Sequence, residues 1–184
     1  MQINQTNRYG KLAHFSTRHL TIMALLLAMR ILLSYLPGIN IGKFVEMGFG
    51  FIGTATAAAI LGPFYMVIFA VFYDLLDILV IHPTAMFFIG FTLSAAVAGF
   101  IYAKGLWRQE VTAKRAIIVT FIVTLGVNLI MNTFWIQLMY DKAWIGLIQL
   151  RLIKNLISFP LNAFIIYIMF NYPPFKRLIK KYQF

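Results

Sequence analysis

The sequence predicts an all-α membrane protein, a six-transmembrane-helix bundle with both termini in the cytoplasm, from three observations. Of its 184 residues 61% are hydrophobic and only 11% are charged, a balance foreign to soluble domains of this size. The apolar residues fall into six runs, each near the roughly 20 residues that a helix needs to cross hydrocarbon. The cations gather at alternate ends of those runs rather than along them.

In chain order the runs cover 20–36, 47–62, 64–81, 85–103, 116–138 and 150–171, within one integral membrane domain, 1–184. The first ends in SYLPGIN, with no small-x-small cleavage pattern, so it is expected to remain as a helix. The second and third are nearly continuous from Met47 to Ile81 and would measure about 52 Å as one helix. The break belongs at Leu61-Gly62-Pro63, where glycine and proline permit a tight reversal.

A net charge of +11 is more informative by location than by size. Arg8, Lys11 and Arg18 precede the first run. Lys104, Arg108, Lys114 and Arg115 lie between the fourth and fifth, and Lys176, Arg177, Lys180 and Lys181 follow the sixth. These eleven of the 16 Lys and Arg share one side, whereas the other holds Lys43 and Lys142 with Arg151 at its edge. The positive-inside rule therefore places both termini in the cytoplasm.

Several functions are excluded. With no cysteine there is neither a disulfide framework nor a thiolate metal site. GINIGK, 38–43, has only three residues between its glycines and no Ser or Thr after Lys43, so it is not a Walker A loop and nothing in the chain hydrolyses ATP. His14, His19 and His82 have no zinc-binding spacing, and no metal site is expected. The sequon NQT, 4–6, falls on the expected cytoplasmic side and carries no glycosylation. The basic charge serves membrane lipid and topology rather than nucleic acid.

Polar residues that are costly in lipid face a bundle interior or a cavity, so their angular positions can be compared at about 100° per residue. Asp74 and Asp77 lie about 60° apart, and Asn128, Asn132 and Trp135 fall within roughly 60°. Arg151 and Asn155 share a face with Asn162, and Lys154 borders it. In the first run Arg30 points roughly 140° away from the small pair Ala24 and Ala28. One face thus addresses a polar interior, and the other permits close packing against another helix.

Carboxylates pair with an amidine-like donor edge, asparagines satisfy further ring atoms, aromatics stack on a flat ring, and Arg or Lys hold carboxylates. A planar heterocycle with an acidic tail suits this set. Competing readings are snorkelling of Arg151 and Lys154 to headgroups, an internal ion pair of Arg30 with Asp74, and an interfacial belt of Trp107, Tyr140 and Trp144.

The segments ALLLAMRILLSYLPG, YDLLDILVIHPTAMFFIGFTLSAAVAGFIY and MNTFWIQLMYDKAWIGLIQLRLIKNLISFP together resemble a known family over nearly the whole chain. It is the folate-specific substrate-binding subunits, or S-components, of energy-coupling factor (ECF) transporters, known as FolT. Around PTAMFFIGFTL related sequences commonly carry more glycine or proline, where this chain has Ala85, Met86 and Ile89. The resemblance implies a six-helix, multi-pass S-component in a prokaryotic plasma membrane. Such a subunit captures folate outside the cell and joins a transmembrane coupling subunit with two ATPase subunits.

It further implies docking of the coupling subunit on Ala24 and Ala28, and no catalysis or cofactor in the chain itself. The substrate-binding set expected on this basis is Arg30, Asp74, Asp77, Asn128, Asn132, Trp135, Arg151, Lys154 and Asn155, with the last basic cluster awaiting the glutamate tail. Two alternatives remain: an S-component for riboflavin, thiamine or a pyrimidine precursor, and an intramembrane lipid-modifying enzyme using Asp74 and Asp77 around a metal. The second lacks the His or acidic cluster such a metal site needs.

Overall fold

A computed structural model describes residues 16–36, 38–41, 45–81, 87–140 and 144–183. Arg8, Lys11, His14, the sequon, Lys43, His82, Ala85, Met86 and Lys142 lie outside the described residues, as do the side chains of Tyr140 and Trp144. The helices are α1 (Thr17–Tyr35), α2 (Gly50–Leu76), α3 (Ile89–Leu106), α4 (Ala113–Ile122), α5 (Asn132–Tyr140), α6 (Trp144–Asn171) and α7 (Pro173–Tyr182). Wide π-type turns prolong α2 over Asp77–Ile81 and join α4 to α5 over Val123–Met131. A two-stranded antiparallel ladder, β1 (Ile39–Ile41) with β2 (Val45–Met47), precedes α2.

The expected break in the long apolar segment is present at Gly62, whose φ of 74° and ψ of 173° are non-helical. Only glycine adopts such a φ at little cost, and Pro63 then opens the second arm where its missing N–H is no loss. The break is a reversal. A straight helix would hold Gly53 and Tyr73 about 30 Å apart, yet both meet Arg30 of α1. A Cβ on Gly53 would lie 3.1 Å from the Arg30 Cα, and the Arg30 guanidinium sits 3.8 Å from the Tyr73 ring centre. α2 is therefore a helical hairpin.

Among the described residues, five helices are long and apolar enough to cross a membrane, with Gly50–Leu79 as one of them. Opening that one at Gly62 gives the six spans expected from the sequence. The boundaries shift by a few residues. The second span starts at Gly50, because Val45–Met47 is spent on β2, and the fourth runs from Ile89 to Leu106. α6 extends back to Trp144, and the fifth span reaches from Ala113 to Tyr140.

The first arm of α2 is the centre of the core: Gly53 through Gly62 are all buried, and Ala55, Ala57, Ala58 and Ala59 are fully so. Small side chains let α1 approach its backbone closely, which is how helices associate where lipid supplies no hydrophobic drive. Leu25, Leu32, Phe72, Ile89 and Leu156 face outward, more than half exposed. In water that surface would be a liability; in a bilayer it is the solvated face.

Basic residues of α1, of the α3–α4 connection and of α7 gather at one end of the bundle. Arg18 donates to the Lys181 carbonyl, Lys176 lies 3.7 Å from Glu110, and the Gln183 amide donates to the Ala59 carbonyl beside the hairpin turn at 2.8 Å. Trp107 reaches the same turn, packing against Gly62. It is thus a plug beneath the hairpin rather than a member of an outward aromatic belt.

Candidate functional site

At the end of the bundle remote from those cations lies a cavity of about 540 Å³, within the size range of small-molecule sites. α1 contributes Arg30 and Ser34. The two arms of α2 contribute Phe51 and Thr54, then Ala70, Tyr73 and Asp74, with Asp77 from the wide turn beyond. α3 adds Phe91, Ser94, Ala95, Ala98 and Tyr102, the α4–α5 helix adds Val123, Val127, Asn128 and Asn132, and α6 adds Asn162.

The hairpin explains how Arg30 enters this wall. Gly53 lets α1 come within contact of the first arm, while Tyr73 on the second arm lies flat over the guanidinium. Such a cation–π contact holds the charge without neutralising it. Asp77 and Asp74 also interact with Arg30 electrostatically. Asp74 accepts a 2.7 Å bond from the Thr92 hydroxyl, and Asp77 accepts one from the Tyr73 hydroxyl at 3.2 Å.

Two cavity atoms lack partners. The Arg30 Nε donor and the Asn132 Oδ1 acceptor are buried with no hydrogen bond among the described residues. A buried polar atom without a partner costs about 1–3 kcal/mol; both atoms are closed off from solvent, so a polar ligand would pair with them only after a small shift of the wall. The wide turns place both Asn128 and Asn132 on the wall, and the backbone N–H of Asn132 reaches back five residues to the Val127 carbonyl. Such turns commonly occur at functional sites.

Of the nine residues expected from the sequence, Arg30, Asp74, Asp77, Asn128 and Asn132 line the cavity. Trp135 stands behind the wall, where its indole Nε1 donates to Ser94 Oγ at 2.9 Å and its ring packs on Phe88 and Phe134. Its position 60° round the helix from Asn132 moves it from the cavity to the α3 contact. Among the described residues Arg151 reaches the rim through a 3.4 Å bond to the Asn128 carbonyl.

Lys154 is exposed and Asn155 lines a separate, largely apolar cleft of about 70 Å³ with Phe121, Leu125 and Phe159. Neither belongs to the cavity wall. Sequence reasoning missed Tyr73, Ser94 and Phe91. Tyr73 was legible, since it stands four residues before Asp77 and so on its face, whereas Ser94 and Phe91 carried no signal apart from their neighbours.

Ala24 and Ala28 are exposed on the side of α1 away from Arg30. The described residues include no group of three or more His, Cys, Asp or Glu able to hold a metal.

A family model described as "ECF transporter, substrate-specific component" matches residues 18–170. The chain is 39% identical over 123 residues to the folate transporter FolT of Clostridium novyi, an alignment covering 67% of this chain and 71% of that protein. It is 29% identical over 186 residues to the FolT of Leuconostoc mesenteroides, covering 97% and 98%. A crystal structure of FolT bound with folic acid superposes with a TM-score of 0.77 at 31% identity, over 89% of this chain and 98% of that one. The transmembrane hairpin bundle, its polar cavity and these matches agree: the chain belongs to the family of substrate-specific components of ECF transporters, beside the FolT proteins.

Proposed function

We propose that this protein captures folate at the outer face of a prokaryotic plasma membrane for import by an ECF transporter. The observation that carries the reading is the cavity that gathers two aspartates, two asparagines and an arginine in a chain similar over most of its length to FolT bound with folic acid. The carboxylate of Asp77 and the amide of Asn132 suit the donor and acceptor edge of a pterin, with Asp74 beside them, and Phe51, Phe91 and Tyr73 offer ring faces. Trp135 supports that wall from behind. The glutamate tail then runs toward the rim, where Arg151 supplies a cation.

The chain does no chemistry of its own in this reading. Energy comes from two ATPase subunits through a transmembrane coupling subunit that docks on the exposed Ala24 and Ala28 face. Both termini are cytoplasmic, supported by the gathering of cations at the end opposite the cavity. The lipid-modifying alternative has no support from the family match, and the other-vitamin alternative has none from the FolT relatives.

The decisive experiment is mass spectrometry of the small molecule retained through purification, followed by titration. Folate or a reduced folate is expected. Retention of riboflavin, thiamine or a pyrimidine, with no binding of folate, would overturn the substrate. On the docking side, Ala24→Trp with Ala28→Trp is expected to abolish uptake and co-purification with the coupling subunit while leaving folate titration unchanged. Normal uptake in that variant would make the alanine face ordinary lipid-facing surface.

A further inference from the structure

A second cavity, of about 220 Å³, opens at the basic end of the bundle between the α3–α4 connection and α7. Its lining includes Arg108, Lys176 and Lys180 with Glu110, Ile179 and Gln183. Three cations against one carboxylate leave it basic even with the 3.7 Å contact of Lys176 and Glu110 in place. Arg108 is held at a φ of 52°, a left-handed conformation that few non-glycine residues adopt, and its guanidinium lies 4.4 Å from the Trp107 ring centre. The backbone is thus committed to presenting this arginine at the end of α3.

α7 adds the second half of the observation. Ten residues make a helix of about 15 Å, too short to cross a bilayer, and it starts immediately after the last apolar span ends at Asn171. At about 100° per residue Phe175, Leu178, Ile179 and Tyr182 fall within an arc of roughly 100°, and Lys176, Lys180, Arg177 and Lys181 occupy the opposite side. Ile179 is 7% exposed and Phe175 packs on Phe170, so part of the apolar arc is anchored on the bundle. Leu178 remains 47% exposed beside it. A short helix with one apolar and one basic side, starting where a span ends, has the composition of an interfacial element.

We propose that the Arg108, Lys176 and Lys180 cavity binds the phosphate of an anionic phospholipid headgroup. The cations supply charge-assisted hydrogen bonds, and Gln183 adds an amide. Because Gln183 also holds the hairpin turn at Ala59, an occupied site clamps α7 to the turn of α2. This inference does not depend on the identity of the transported substrate.

The test is native mass spectrometry of the full chain released from neutral detergent with phosphatidylglycerol or phosphatidylcholine of matched acyl chains. Retention of phosphatidylglycerol over phosphatidylcholine by about tenfold or more is expected, and Lys176→Gln with Lys180→Gln should lower phosphatidylglycerol binding roughly 25-fold, about fivefold per cation. Lys114→Gln with Arg115→Gln, an equal charge loss at the same end but outside the cavity, should leave it unchanged. Lys176→Arg with Lys180→Arg should restore it. Equal retention of the two lipids, or equal loss in both glutamine pairs, would reduce the site to a diffuse basic surface. Displacement of the lipid by millimolar inorganic phosphate would make it a free-anion site. Unchanged lipid preference in the cavity variant, with lost co-purification of the coupling subunit, would assign the surface to a protein partner.

Discussion

Arg30 and Arg151 are both arginines in apolar helices, yet their surroundings are opposite. Arg30 stands where three backbones converge: α1 closes on Gly53 of the first α2 arm, and Tyr73 of the second arm covers its guanidinium. Arg151 stands near the start of the last span and, among the described residues, donates to the Asn128 carbonyl at 3.4 Å. The first is enclosed by packing that leaves its buried Nε without a partner among the described residues, and the second reaches across from the outside. The difference teaches that a charge in a membrane helix is a binding candidate in proportion to what neighbouring helices close around it.

That contrast can be broken most directly at Arg30. Arg30→Ala is expected to weaken folate binding by about 10- to 150-fold, the usual cost of removing a hydrogen bond to a charged group, in isothermal titration of purified protein. Co-purification with the coupling subunit should persist. An unchanged dissociation constant would show that the enclosed arginine is a structural cation only.

The next step probes the facing wall. Asp77→Asn and Asn132→Ala are each expected to cost about 1–3 kcal/mol in binding a pterin fragment that lacks the glutamate. Fluorescence quenching with the fragment measures this, and wild-type affinity in both variants would remove the wall from the site.

The smallest effects belong to α6. Arg151→Ala should lower affinity for folate by a few-fold, in keeping with a solvent-accessible charge, and leave the pterin fragment untouched. Lys154→Ala and Asn155→Ala should change neither ligand by more than about twofold, since one is exposed and the other lines a different cleft. Comparing folate with the fragment in all three variants checks the gradient. A loss at Lys154 equal to that at Arg30 would invert the comparison.

α6 also shows where angular reasoning fails. Asn155 and Asn162 share a face, being about 20° apart after seven residues, but they are about 10 Å apart along the axis. Because neighbouring helices cross α6, the same face meets α4 at one height and the cavity at the other. Helical periodicity names a face and is silent about what lies opposite it at each level.

Much was nevertheless determined by the sequence alone. Apolar runs of spanning length, the reversal at Leu61-Gly62-Pro63 and the gathering of cations are local matters, governed by the cost of unsatisfied backbone in lipid and by the few conformations open to glycine and proline. The polar residues of the cavity were legible too, because Arg30, Asp74, Asp77, Asn128 and Asn132 are expensive in hydrocarbon and stand out against it. Tertiary structure alone decided the rest. Tyr73 joins the site because the hairpin folds its second arm back over α1, and Trp135 leaves it because Ser94 on α3 offers its indole a partner at 2.9 Å. Aromatics and a serine cost little to place in a bundle on either side of a wall, so their positions follow from which helices meet, a property of the packed chain rather than of any one segment.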